Sequence, residues 1–112
     1  MDCIFCKIID GSIPSAKLYE DEKMIIIKDI SPQAKVHYLL IPKEHYPNIK
    51  EMTQEQASTL GECLKKLGEL TESFGLAEGF RIVSNCGKYG CQSVEHLHIH
   101  ILGGEQLSPK MS

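Results

Sequence analysis

Residues 95–104, EHLHIHILGG, alternate polar and apolar side chains with period two. An extended strand sends successive side chains to opposite faces, so His96, His98 and His100 share one face and Leu97, Ile99 and Ile101 form a core face. The pattern predicts a strand over about residues 95–102, with Gly103 and Gly104 freeing the chain to turn. AKLYEDE and MIIIKDI predict two strands joined as a hairpin by a charged turn near Asp21 to Lys23. VHYLLIPKEHY predicts a third, bounded by Pro32 before it and Pro42 near its end, and GFRIVSN a fourth. The opening DCIFCKIIDGSIP predicts a short helical entry stopped by Gly11 and Pro14.

The one long helix has a different period. Thr53 and Gln56 form a candidate capping box, Ala57, Leu60, Leu64, Leu67 and Phe74 recur at helical spacing, and Gly75 stands where a C-terminal cap belongs. A helix over about residues 53–74 follows, with Glu62, Lys65, Lys66 and Glu69 on a solvated outer face. Strands before and after a single helix, without strict βαβ alternation, predict an α+β domain built on a largely antiparallel five-stranded sheet.

Composition narrows the function classes. A chain of 112 residues supports one domain, residues 1–112, with a hydrophobic core. A net charge of -3 and a single arginine, Arg81, argue against a nucleic-acid groove. No segment reaches the length of a membrane span, and the N-terminus lacks the pattern of a signal peptide, so a soluble cytoplasmic protein is expected. Five cysteines, an odd count without an export signal, point to metal ligation or buried thiols rather than a disulfide framework.

Three imidazoles in register leave three readings: ordinary half-exposed strand residues, a metal site, or phosphoryl chemistry with one imidazole as nucleophile and others as donors. The perfect register disfavours the first, and spacing does not choose between the other two. Cys3 and Cys6, in a C-x-x-C pair, are compatible with a redox couple, half a zinc site or chance. NCGKYGCQS, delivered into the histidine row, matches neither a P-loop nor a dinucleotide fingerprint.

HLHIHIL has the alternating form of the histidine triad (HIT) superfamily. DISPQAKVHYLLIPKEH at 29–45, FRIVSNCGKYGCQSVEHLHIHILGG at 80–104 and the opening IFCKIIDGSIP resemble its Hint branch in order and spacing. The resemblance runs from Cys3 to Gly104. It implies a HIT-like fold with a five-stranded antiparallel sheet, one long helix and a short N-terminal helix, paired as a homodimer. It also implies hydrolysis of purine nucleoside phosphoramidates and related nucleotidyl conjugates.

By the same resemblance, His98 is the nucleophile that forms a covalent nucleotidyl intermediate, and its second ring nitrogen needs an acceptor to hold it in the neutral tautomer. His100 donates to a phosphate oxygen or the leaving group, and His37 orients or relays protons. Asn85, Gln92 and Ser93 lie around the phosphate, Asp29 accepts from the ribose hydroxyls, and Ile30 and Phe5 either line the base pocket or belong to the core. Cys3, Cys6, His45 and His96 correspond to a structural zinc site, so zinc is expected as a cofactor outside the chemistry. Departures are Cys91, where the pattern has a glycine, and a C-terminal tail without tryptophan. If residue 91 needs positive φ, cysteine there is strained. Cys63 and Cys86 read as packing residues. Rival readings are a dinucleoside polyphosphate hydrolase, a nucleotidyl transferase, or a nucleotide-binding interaction module with incidental hydrolysis.

Overall fold

The computed structural model describes residues 3–110. In chain order it contains α1 (Ile4–Ile9), β1 (Lys17–Glu20), β2 (Met24–Lys28), β3 (Val36–Pro42), α2 (Gln54–Leu70), β4 (Phe80–Val83) and β5 (Ile99–Gly103). A 3-10 turn, Ile49–Glu51, not foreseen from the sequence, precedes α2. The strands form one sheet in the order β1-β2-β3-β5-β4, and every neighbouring pair is antiparallel.

The isoleucine and leucine runs of β2 and β3 occupy its centre because they supply apolar side chains to both faces. Met24, Ile26 and Leu40 pack with Leu60, Cys63 and Leu67 of α2, together with Leu97, Ile99 and Ile101. Ile25, Ile27, Leu39 and Ile41 face the other way, against Phe5 and Ile8 of α1. Met24, Ile25, Ile26, Leu40 and Ile41 have no exposed surface at all, and burying each stabilises the fold by about 1.5–3 kcal/mol. Asp21 closes the β1–β2 hairpin, its carboxylate accepting from the backbone N–H groups of Lys23 and Met24.

The capping box at α2 is present in full: Thr53 accepts from Gln56 N–H, and the Gln56 side chain accepts from Thr53 N–H. The helix stops at Leu70 rather than near residue 74. The Thr71 and Ser73 hydroxyls donate to the Gly68 and Leu70 carbonyls, offering the backbone an alternative to continued helix. Turns continue to Gly75, at φ 77°, and keep Phe74 on the apolar side, where its ring meets Tyr38 edge-on at 5.2 Å.

The final strand also starts later than the alternation predicts. Pairing of β3 with β5 begins at Leu40 opposite Ile99, and Pro42, at the end of β3, has no N–H to extend the ladder. Residues 95–98 keep the alternation of side chains but form an irregular lead-in, held by Leu97 N–H donating to the Tyr46 carbonyl at 2.7 Å. That lead-in carries two of the three alternating histidines.

Candidate active site and metal centre

His96 and His98 lie on the α1 side of the sheet and are covered, whereas His100 is half-buried. His96 has no exposed surface, and His98 and His37 are 5% and 6% exposed. Phe5 supplies much of the cover, its ring edge-on to His98 at 5.0 Å and to His96 at 5.9 Å. Phe5, expected beside a base or in the core, is buried in the α1-side core against the imidazoles. Ile30, with the same two expectations, is 99% exposed and so is not core.

Backbone carbonyls settle two ring tautomers. His98 Nδ1 lies 2.8 Å from the His96 carbonyl, which only accepts, so Nδ1 carries the hydrogen and Nε2 holds the lone pair. His96 Nε2 lies 2.7 Å from the Pro42 carbonyl, so its Nδ1 is the free acceptor. A third tautomer is set by a donor. Gln33 N–H donates to His37 Nδ1 at 2.9 Å, so the hydrogen of neutral His37 is on Nε2 and points to His100 Nδ1, also at 2.9 Å. His100 then carries its own hydrogen on Nε2. Burial pushes the His100 pKa below its ordinary value, with His98 and His37 adding to the effect and Asp29 opposing it.

Asp29 closes this second cluster. One carboxylate oxygen accepts from Ser31 N–H at 2.7 Å, and the other lies 3.4 Å from His37 Nε2 and 3.9 Å from His100 Nδ1. Asp29, His37 and His100 are close enough for a shared cation, but the tautomers oppose one: His37 Nε2 would have to lose its hydrogen while Nδ1 still faces the Gln33 donor.

The other cluster fits a metal ion. Ligand atoms of Cys3, Cys6, His45 and His96 all lie within 4.8 Å of one another. His96 Nδ1 is 3.4 Å from Cys3 Sγ, 3.6 Å from Cys6 Sγ and 3.1 Å from His45 Nδ1, and His45 Nδ1 is 3.3 Å from Cys6 Sγ. Tetrahedral coordination with bonds of about 2.3 Å to sulfur and 2.0 Å to nitrogen has edges of about 3.3–3.8 Å. The donor set, its spacing and the orientation of His96 by the Pro42 carbonyl all suit such a site. Burial, with the neighbouring Cys3, raises the Cys6 pKa, so metal binding there would release protons.

The segment between β4 and the histidines is a knotted turn. Asn85 Nδ2 donates to the Gly90 carbonyl at 2.7 Å, and Gly87 N–H donates to Gln92 Oε1 at 2.9 Å. A side chain at residue 90 would begin 2.5 Å from the Cys86 carbonyl oxygen, which only glycine avoids. Cys91 has φ 61°, the positive value that its place in the pattern raised as a question. Ser93 is exposed and makes no hydrogen bond among the described residues. Three groups at the site were not foreseen: the Gln33 N–H, the Pro42 carbonyl and Asn48, whose Nδ2 donates to Gln92 Oε1 at 3.2 Å. Two of these are backbone groups without a side-chain signature, and Asn48 lies 44 residues from its partner.

Residues 2–112 match the family model described as scavenger mRNA decapping enzyme C-term binding. Protein HitA of Neisseria gonorrhoeae is 45% identical over 102 residues, covering 91% of this chain and 95% of the relative. A HIT family hydrolase from Clostridium thermocellum superposes with a TM-score of 0.92 at 47% identity, over 99% of this chain and 97% of that one. A histidine triad protein from Clostridium difficile does so at 0.93 and 38% identity, over the same shares. The chain belongs to the histidine triad superfamily.

Proposed function

We propose that this protein hydrolyses the P–N bond of purine nucleoside phosphoramidates and related nucleotidyl conjugates, with His98 as nucleophile. The observation that carries the reading is the hydrogen bond from His98 Nδ1 to the His96 carbonyl, which leaves Nε2 with its lone pair. Support also comes from solved relatives described as HIT family hydrolases.

In the proposed reaction, His98 Nε2 attacks the α-phosphorus as the P–N bond to the leaving amine breaks. The Nε2–H of His100 donates a hydrogen bond to a phosphate oxygen or the leaving nitrogen, and the bond from His37 Nε2 to His100 Nδ1 holds that ring in place; the proton that the leaving amine needs is taken up from solvent. Water then attacks the nucleotidyl-histidine, the P–N bond to His98 breaks, and one proton returns to solvent. The nucleoside monophosphate leaves and neutral His98 is restored. Ser93 and the backbone of residues 85–93 receive the phosphate oxygens, with Asn85 and Gln92 shaping the loop. Asp29 takes the ribose hydroxyls, with its carboxylate turning from His37, and Ile30 with Phe5 behind it borders the base.

We infer that Cys3, Cys6, His45 and His96 hold zinc in a structural role. Bound there, the ion would tie α1 to the lead-in of β5 and so steady His98 without meeting substrate. Exposed Phe80 and Ile82 on edge strand β4 support a homodimer. Five free thiols suit a reducing, cytoplasmic setting.

The test is steady-state hydrolysis of a fluorogenic adenosine phosphoramidate by wild type and His98→Ala, with metal content measured on the same samples. Turnover is expected to fall by at least about a thousandfold in the variant, with equal metal in both. Equal turnover would remove His98 as nucleophile and favour a binding role. A second reading, cleavage between two nucleotides, takes support from the decapping enzyme named by the family model. Preference for a dinucleoside polyphosphate over the phosphoramidate would establish it instead.

A further inference from the structure

The segment after β3 and the lead-in to β5 run side by side and are joined at three levels. His45 Nδ1 and His96 Nδ1 meet at 3.1 Å in the candidate metal centre. Leu97 N–H then donates to the Tyr46 carbonyl at 2.7 Å. Beyond it, Gln92 Nε2 donates to the Pro47 carbonyl at 2.6 Å, and Gln92 Oε1 accepts from Asn48 Nδ2 at 3.2 Å.

Gln92 makes two further bonds, accepting from Gly87 N–H at 2.9 Å and donating to the Val94 carbonyl at 3.0 Å. A primary amide has two donor hydrogens and an oxygen with two lone pairs, so all its positions are used. Turning the amide over would set its oxygen against two carbonyls. Gln92 is therefore committed to spanning the loop from Gly87 to Val94 and has no hydrogen left for a ligand. Asn48 is oriented just as firmly, because its Oδ1 accepts from Lys50 and Glu51 N–H and its Nδ2 must face Gln92.

We propose that Asn48 is a positioning residue of the phosphate loop and acts through Gln92. This rests on the proposed reading of residues 85–93 as the loop that receives the phosphate. The Gln92 amide braces the loop beside the Asn85–Gly90 bond, and among the described residues the only side chain from outside the loop that hydrogen-bonds to that amide is Asn48. Loop N–H groups that bind phosphate oxygens do so before and during reaction, so displacing them weakens ground and transition states alike. The consequence is a higher KM at an unchanged kcat.

Two variants separate this role from the capping of the 3-10 turn. Asn48→Asp keeps an oxygen for Lys50 and Glu51 but sets an acceptor against Gln92 Oε1. Asn48→Ser keeps a shorter capping oxygen and removes the donor. Hydrolysis of the adenosine phosphoramidate and calorimetric binding of AMP are measured for wild type and both variants, with metal content and amide NMR spectra.

The expected result is a rise of about tenfold in KM and in the Kd for AMP, the scale of one hydrogen bond. The kcat stays within about twofold, the Gly87 amide resonance moves, and metal content is unchanged. Wild-type KM and Kd in a folded variant overturn the proposal, as does a loss confined to kcat. If Asn48→Asp does not fold, Asn48→Ser decides. If wild type neither turns over the substrate nor binds AMP, the functional reading has failed. The Gly87 resonance then tests Asn48 alone, and an unmoved signal overturns its role.

Discussion

Neutral histidine has one donor and one acceptor nitrogen, and at this site the group facing one nitrogen assigns the other. His96 and His98 face carbonyls, whereas His37 faces the Gln33 N–H. The same side chain type is thereby a candidate ligand, nucleophile or orienting donor within one site. His100 adds a pH dependence. Burial lowers its folded pKa below the ordinary 6.5, so below that value the unfolded chain binds a proton that the folded chain resists. The contribution is fully present above the unfolded pKa and is lost as pH falls from there toward the depressed folded value. Denaturant midpoints of wild type and His100→Gln, compared at about pH 7.5 and pH 5.5, should show the larger loss in wild type; parallel losses would exclude His100 as a source. Cys91 holds a strained left-handed conformation, at φ 61°. Cys91→Gly should raise stability by about 0.5–1 kcal/mol, the relief of a left-handed residue less glycine's added unfolded entropy. A lower thermal midpoint would contradict that balance.

Among the elements, β4 stands apart because it ends the sheet while presenting Phe80 and Ile82, 41% and 45% exposed. An open edge with apolar side chains invites pairing with another chain. In the proposed homodimer, Ile82→Lys should shift the protein to monomer in sedimentation, without loss of the sheet by circular dichroism; a variant that stays dimeric would place the contact elsewhere, and a monomeric wild type would remove the homodimer. α2, by contrast, was readable almost entirely from its own sequence, since Thr53 and Gln56 lie three residues apart and the apolar stripe has a fixed period. Its end was less so. Hydroxyl bonds from Thr71 and Ser73 compete locally with the helix, and periodicity does not register that competition.

For the whole molecule, the Cys3, Cys6, His45 and His96 group is where sequence-distant parts converge. It joins α1 to residues 39 and 90 positions further on, and metal bound there would contribute directly to folding. Chelation should lower the thermal midpoint by more than about 5 °C, read by calorimetry with and without added zinc. A midpoint indifferent to both treatments would reduce the group to packed thiols and imidazoles.

Periods and short spacings along one chain were enough for the α+β class, the five strand segments, the capped helix and the face shared by alternating histidines. The resemblance to the histidine triad superfamily nominated the four possible ligands. Packing in three dimensions fixed that His96 and His98 are buried while His100 keeps some exposure, that the first two precede the paired strand, and which nitrogen of each ring holds hydrogen. Those outcomes depend on α1 folding over the sheet, on Pro42 ending a ladder, and on carbonyls and N–H groups brought from other segments. Such groups carry no side-chain signature, so their placement emerges only when the chain has packed.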